Sequence, residues 1–280
     1  MLKATNLMPE LPEVETICRS LRTLLPGRRV VVVEVLEPRL RSPVSEDFRS
    51  ELQGRVILDV KRRGKYILVL LEGGRVWVSH LGMSGKLIYV GAGRPREKHD
   101  HIIIRLDEGH ELRYHDPRRF GLSFVAAYAE FESLPQIRNL GLDPFDRQFN
   151  GVYLYSVARN SRRRIRDLLI DQRVLAGLGN IYANEILFHA GVRPTMRGWR
   201  LGRRGTAQIA EATPKVLLEA IRWRGTSFSD YRDGEDRRGE FQNHLRVYDR
   251  DGEECTVCTS KIRKVRMGNR SAFYCPSCQK

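Results

Sequence analysis

Long apolar runs are missing from this 280-residue chain. The longest, Val30 to Val33 and Tyr66 to Leu71, fall far below the ~18 residues a membrane-spanning helix needs. The opening MLKATNLMPELPEVE lacks the apolar stretch of a secretory signal, so a soluble, cytoplasmic protein is expected. Internal repeats and low-complexity tracts are also absent, which removes repeat architectures. No P-loop and no GxGxxG occurs, and the terminal YCPSC lacks the HxE…PCxxC order of a base deaminase. Cysteine is scarce: there are five, four of them near the C-terminus, which is no framework for a secreted disulfide protein. Acidic residues are in deficit as well. Thirty-four Asp and Glu face forty-nine Lys and Arg, for a net charge of +15 and a pI near 10.0. That balance makes a polyanion the leading partner.

What is present suffices for one large domain or two modest ones, with 41% hydrophobic residues to build cores. Val14, Ile17, Cys18, Leu21 and Leu24 recur at helical spacing, with Pro12 in the first turn and Pro26-Gly27 as the stop. From Arg29 to Phe124 the chain turns to eight short β-rich runs. Gly73-Gly74 and Glu108-Gly109 mark hairpin turns, and the spacing argues a sandwich or barrel. Residues 135–150 read as a linker. Helices are then expected over Arg164 to Asp171, Ile181 to Ala190 and Pro214 to Arg224, the second with Ala183, Ile186, Leu187 and Ala190 on one face.

The strongest local signal is Cys255-x2-Cys258, sixteen intervening residues, then Cys275-x2-Cys278. Two such knuckles supply the four thiolates of a tetrahedral zinc ribbon, and a closed four-thiolate site is structural because no position is left for water. Lys261, Arg263, Lys264, Arg266 and Arg270 make this ribbon a phosphate-binding surface. Upstream, Gly177 and Gly179 permit a tight turn before a helix that Asn180 is suited to cap, a natural phosphate seat or simply a capped helix hairpin. Arg159, Arg162, Arg163, Arg164 and Arg166 place five arginines in eight residues beside it, which tips the segment toward nucleic acid.

PELPEVET (from Pro9), RRGKYILVLL around Lys65, HLGMSGKL (from His80), KHDH (from Lys98), YHDPRRFG (from Tyr114), DQRVLAGLGNIYANE (from Asp171), FQNHLRVYDRDGEEC and NRSAFYCPSCQK follow one another in order. From Met8 to Lys280 the chain resembles the formamidopyrimidine-DNA glycosylase family. The resemblance implies an α+β fold: a β-sandwich with a leading helix (8–134), the linker (135–150), a helix–two-turn–helix domain with a lesion lid (151–240) and a zinc finger (241–280). It also implies a monomer, one structural zinc, and damaged double-stranded DNA as partner.

The implied chemistry is excision of an oxidised purine from a flipped-out nucleotide, followed by strand cleavage. Pro9, as a free N-terminal secondary amine, matches the nucleophile. A terminal amine with a pKa of about 7.7–8.0 is far more available at neutral pH than an ordinary lysine near 10.4. Glu10 resembles the acid that opens the sugar, Glu13 matches a site position at the helix start, and Lys65 resembles the lysine on the reacting nucleotide's phosphate. His99, Arg118, Asn180 and Arg270 match DNA contacts, and the last elimination is assigned to the position of Arg270. Met83, Arg118 and Phe120 match the trio that fills the hole left by the flipped nucleotide. Without the resemblance, Met83 and Phe120 read as core residues. Thr226 to Glu240, rich in glycine and charge, suits a mobile lid.

Two departures stand out. Arg166 occupies a family lysine position, so an amine-specific role there is lost while phosphate contact is retained. MLKATNL precedes Met8, and with those residues in place Pro9 is an unreactive tertiary amide. Translation from Met8 is therefore expected. The alternatives are an endonuclease VIII-like enzyme for oxidised pyrimidines, whose group opens PEGPE, and a non-catalytic damage binder.

Overall fold

A computed structural model describes residues 8–228 and 231–280, and they form two compact units. The first combines the chain up to Arg138 with Trp223–Gln242, and the second holds Asn139–Arg222 and Asn243–Lys280. The expectation concerning residues 1–7 lies outside the described residues.

In the first unit, α1 (Leu11–Leu24) begins with Pro12 in its first turn. The Glu13 carboxylate accepts the backbone N–H of Glu10 at 2.9 Å, satisfying a donor the helix itself leaves open. Val14, Ile17, Cys18 and Leu21 are buried as their spacing requires. Each such aliphatic contributes roughly 1.5–3 kcal/mol relative to exposure.

All eight β-rich runs are strands. They are β1 (Val30–Val35), β2 (Ile57–Arg63), β3 (Tyr66–Leu71), β4 (Arg75–His80), β5 (Lys86–Gly91), β6 (Asp100–Leu106), β7 (His110–His115) and β8 (Leu122–Ala127). Two antiparallel four-stranded sheets result, in the orders β1-β6-β7-β5 and β2-β3-β4-β8. Both expected hairpins are present, β3–β4 at Gly73-Gly74 and β6–β7 at Glu108-Gly109. Their core centres on Trp77, which meets Phe48 edge-on at 6.3 Å and donates its indole N–H to Ser123 at 2.7 Å. Phe48 comes from a short helix, α2 (Phe48–Leu52).

The second unit is helical: α3 (Gly151–Ala158), α4 (Ile165–Leu169), α5 (Asn180–His189) and α6 (Gly202–Arg222). Three expectations change here. The helix expected from Pro214 starts at Gly202 and runs through the proline. Its buried face, Ile209, Ala212, Val216, Leu217 and Ala220, continues across Pro214 and outweighs the local cost of about 3 kcal/mol. Residues Asn180 to Phe188 of α5 are all buried, so this stretch of the helix has no solvent-exposed side. Asn180 is its first residue, and the cap position belongs to Gly179. The unanticipated α3 is capped by Asn150, whose side chain accepts from Val152 and Tyr153 at 3.0 Å each. It lies so close to α6 that a Cβ at Gly151 would sit 2.8 Å from Ala207 Cα.

The hairpin of β9 (Arg263–Met267) and β10 (Arg270–Tyr274) lies between the cysteine pairs. Residues 135–150 carry inward-facing side chains, Ile137 and Phe149, and Leu142 forms a parallel bridge with Leu175. The linker is thus a packed connection. No helix among the described residues is long and apolar enough to cross a membrane.

Candidate active site and nucleic-acid interface

Strand register in the first unit gathers distant motifs at one end. In the β2-β3-β4-β8 sheet, Tyr66 pairs with His80 and His80 with Leu122. The turn holding Lys65, the loop after His80 and the loop before Leu122 therefore share an edge. In the other sheet, His115 pairs with both Lys86 and Asp100, bringing His99 to the same loops.

Asp116, to which the sequence reading gave no role, ties these loops together. Its fully buried carboxylate accepts from Ser84 Oγ at 2.6 Å, Gly121 N at 2.9 Å and Arg118 N at 3.3 Å. The signal available was an aspartate before Pro-Arg-Arg, able to accept from backbone N–H groups just downstream. Gly82, at φ +61°, lets the Met83 loop touch the Phe120 backbone, and a Cβ there would lie 2.4 Å from its carbonyl carbon. His80 Nδ1 accepts the Gly82 N–H at 3.0 Å, and Tyr114 donates to the His80 carbonyl at 3.1 Å. Burial, together with the Lys65 and Arg41 charges, pushes the His80 imidazole down to about 3, so it stays the neutral acceptor this contact needs.

Met83, Arg118 and Phe120 stand on these two joined loops. Phe120 is 45% exposed, so its reading as a core residue fails, and Met83 is half-buried. The Arg118 guanidinium lies over the Phe120 ring at 4.7 Å, and its Nη1 is buried without a hydrogen-bond partner among the described residues. A donor so placed is available to a ligand. His99 is partly buried and packs against His115 and His101 at ring distances of 5.8 and 6.1 Å. Desolvation, with the neighbouring His115 and Lys98, lowers its pKa.

At the chain's start, Pro9 is buried and Glu10 is 3% exposed. Glu13 is more than a helix-terminus charge. Besides the Glu10 N–H it accepts the Thr226 N–H at 2.7 Å, and Tyr231 donates to its carbonyl at 3.2 Å. The stretch expected as a mobile lid is packed where it is described. The Tyr89 backbone N–H donates to the Gly234 carbonyl at 2.7 Å, Arg94 meets Asp236 at 2.9 Å, and Arg237 pairs with the fully buried Asp233 at 3.0 Å. The Asp236 carboxylate and the Gly234 carbonyl find partners on the sandwich, in keeping with the grouping of Trp223–Gln242 with the first unit although it follows the helices.

In the second unit, Asn180 and Arg270 come together and Arg162 stands apart on the exposed surface. Asn180 Nδ2 donates to the Ser271 carbonyl at 2.8 Å, next to the exposed Arg270 at the start of β10. Arg166, expected to keep a phosphate contact, is 1% exposed. It donates to Asn180 Oδ1 at 3.3 Å and the Met267 carbonyl at 3.0 Å, and pairs with Asp167 at 3.1 Å. It braces the hairpin from beneath, because the planar guanidinium reaches two acceptors at once. Asn184 accepts the Phe273 N–H, and Glu185 accepts three backbone N–H groups from Arg246 to Tyr248, anchoring the ribbon on α5.

The four cysteine Sγ atoms lie within 4.8 Å of one another, with Cys258–Cys275 at 3.3 Å and Cys255–Cys278 at 3.9 Å. A tetrahedron with Zn–S bonds of about 2.3 Å has sulfur separations of about 3.8 Å, so the set fits one structural zinc.

Comparison with known proteins finds three family domains along the chain. The formamidopyrimidine-DNA glycosylase N-terminal domain matches residues 8–123, its H2TH domain 140–232, and a zinc finger found in FPG and IleRS 252–280. The formamidopyrimidine-DNA glycosylase of Hahella chejuensis is 42% identical over 273 residues, covering 98% of this chain and all of that protein. That of Pseudomonas aeruginosa (strain LESB58) is 43% identical over 274, with the same shares. Solved complexes of Lactococcus lactis Fpg with abasic-site DNA and with Fapy-dG DNA are each 31% identical, with a TM-score of 0.88. They cover 97% of this chain and 99% and 100% of theirs. This chain belongs to the formamidopyrimidine-DNA glycosylase family.

Proposed function

We propose that this protein is a base-excision-repair DNA glycosylase with AP lyase activity, acting on oxidised purines in duplex DNA as a monomer in the bacterial cytoplasm. The observation that carries the reading is the cluster of Met83, Arg118 and Phe120 on two joined loops, an exposed ring and a guanidinium with an unpartnered buried donor. An exposed ring beside a buried donor with no partner among the described residues suits a ligand that offers both a gap and an acceptor. An opened base stack offers both a gap for the ring and an orphaned base for the donor.

The Pro9 nitrogen, as a free amine, attacks C1′ of the flipped nucleotide. The bond from C1′ to the base breaks with its electron pair going to the base, and the proton that the Pro9 nitrogen sheds on bonding to C1′ ends on the departing base. Glu10 delivers the proton that opens the sugar ring, giving an iminium between Pro9 and C1′. That cation acidifies the C2′ proton, whose removal expels the 3′ phosphate, and a second elimination expels the 5′ phosphate. Lys65 and Arg270 hold those phosphates and aid their departure, His99, Arg162 and Asn180 hold the flanking backbone, and Glu13 keeps the first turn of α1 in place. The zinc at Cys255, Cys258, Cys275 and Cys278 holds the hairpin that bears Arg270.

The test is borohydride trapping on duplex containing 8-oxoguanine or formamidopyrimidine, using protein initiated at Met8. A covalent cross-link is expected, with little from the 280-residue form, whose Pro9 nitrogen is an amide. Glu10→Gln should bind but excise poorly, and an oxidised pyrimidine should react more slowly than the purine. Tight binding of damaged duplex with neither cross-link nor strand cleavage would make the protein a damage binder.

A further inference from the structure

We propose that the second unit carries a further site for an unpaired nucleotide of single-stranded DNA, built around Trp199 and adjoining the backbone contact at Arg162. Segments 159–166 and 193–206 together contain ten arginines and no carboxylate. They are stitched side by side: Arg164 bridges Arg197, Gly198 N donates to the Arg163 carbonyl at 2.9 Å, and Trp199 N donates to the Ser161 carbonyl at 3.1 Å. The Arg197 guanidinium donates to the Arg162 carbonyl at 2.7 Å. Three of the ten are committed: Arg163 to Asp171, Arg166 to its buried bonds, and Arg193 to C-terminal carbonyls. Arg159, Arg162, Arg164, Arg197, Arg200 and Arg203 meet no carboxylate among the described residues.

On this uncompensated face Trp199 is 52% exposed. Its ring borders an open hollow of about 520 Å3 lined also by Asn160 and Arg162. Arg200 lies over the ring at 4.9 Å. Tyr155, nearby on α3, has Arg203 over it at 4.8 Å. An indole with a cation on one face keeps its other face for a second flat π-system, and guanidinium groups beside it hold the attached phosphate. A base within a duplex has its faces stacked, so an exposed ring in a basic hollow selects the unpaired nucleotide. The site deepens the proposed function, since strand cleavage creates ends with unpaired nucleotides, and it rests on that reading.

The experiment titrates the full chain with a lesion-free oligothymidylate of about ten nucleotides, following tryptophan emission and the anisotropy of a labelled strand. Quenching is expected. Trp199→Ala should weaken binding about tenfold. Trp199→Phe should recover most of it, and excision from a blunt lesion duplex should stay unchanged in both. Equal oligothymidylate affinity for wild type and Trp199→Ala overturns the site while leaving the glycosylase reading intact. So does equally good displacement of the oligomer by polyglutamate, which would make the face a general anion surface. Loss of excision in the wild type is a failure of the glycosylase reading and is separable, because the oligomer carries no lesion.

Discussion

His80 illustrates how one buried side chain sets a loop. Its imidazole is held down to about 3 by burial, against about 6.5 when the chain is unfolded. Between those values the unfolded chain binds a proton that the folded one refuses. Its contribution to stability is therefore complete above about pH 6.5 and is lost progressively as the pH falls toward 3, with a slope of up to about 1.4 kcal/mol per pH unit. Protonation would also oppose the Gly82 N–H that Nδ1 accepts, releasing the Met83 loop. Melting temperature between pH 7 and 4 should fall less steeply in His80→Asn than in wild type, and identical slopes would contradict this account. Phe120 belongs to the same scale. Its sequence neighbourhood suggested core packing, yet the Asp116 carboxylate turns the loop so that the ring stands outward.

Glu13 links elements more than 200 positions apart. Both of its carboxylate oxygens accept backbone N–H groups, one from Glu10 and one from Thr226. Glutamine can accept on one oxygen only, and its amide would face the other N–H as a second donor. Glu13→Gln should destabilise the first unit by about 1–3 kcal/mol. The segment after Gly225 should become more sensitive to limited proteolysis, whereas unchanged cleavage there would deny the strut. The same scale explains why glycine and charge alone do not describe this segment. Glycine and charge mark a loop in sequence, but Asp233 and Asp236 meet Arg237 and Arg94, and Tyr231 reaches Glu13, so the loop is packed. Pro214 misled in the same way. A local rule about helix starts gave way to a buried face that runs past it.

For the whole molecule, the two units predict separable responses. Cys278→Ser, or removal of zinc by a chelator, should lower metal content and duplex affinity while the sandwich keeps its melting transition. Calorimetry would register this as loss of one transition only. A single transition shifted as a whole, or full DNA binding by metal-free protein, would contradict the division.

The sequence by itself determined the order of the parts. Short β-rich runs broken by Gly-Gly and Glu-Gly specified eight strands, paired CxxC motifs specified the metal, and ordered motifs from Pro9 to Arg270 named the family. These are local signals, carried by propensity, turn chemistry and ligand spacing. Tertiary structure decided what local signals do not contain. It buried Arg166 beneath the Arg270 hairpin, made Asn180 a brace instead of a cap, joined the Met83 and Phe120 loops through Asp116, and assigned Trp223–Gln242 to the first unit. It also set Trp199 among arginines from a segment over thirty positions away in the chain. Each outcome depends on which distant partner satisfies a buried charge or hydrogen bond, and only the folded register brings those partners within reach.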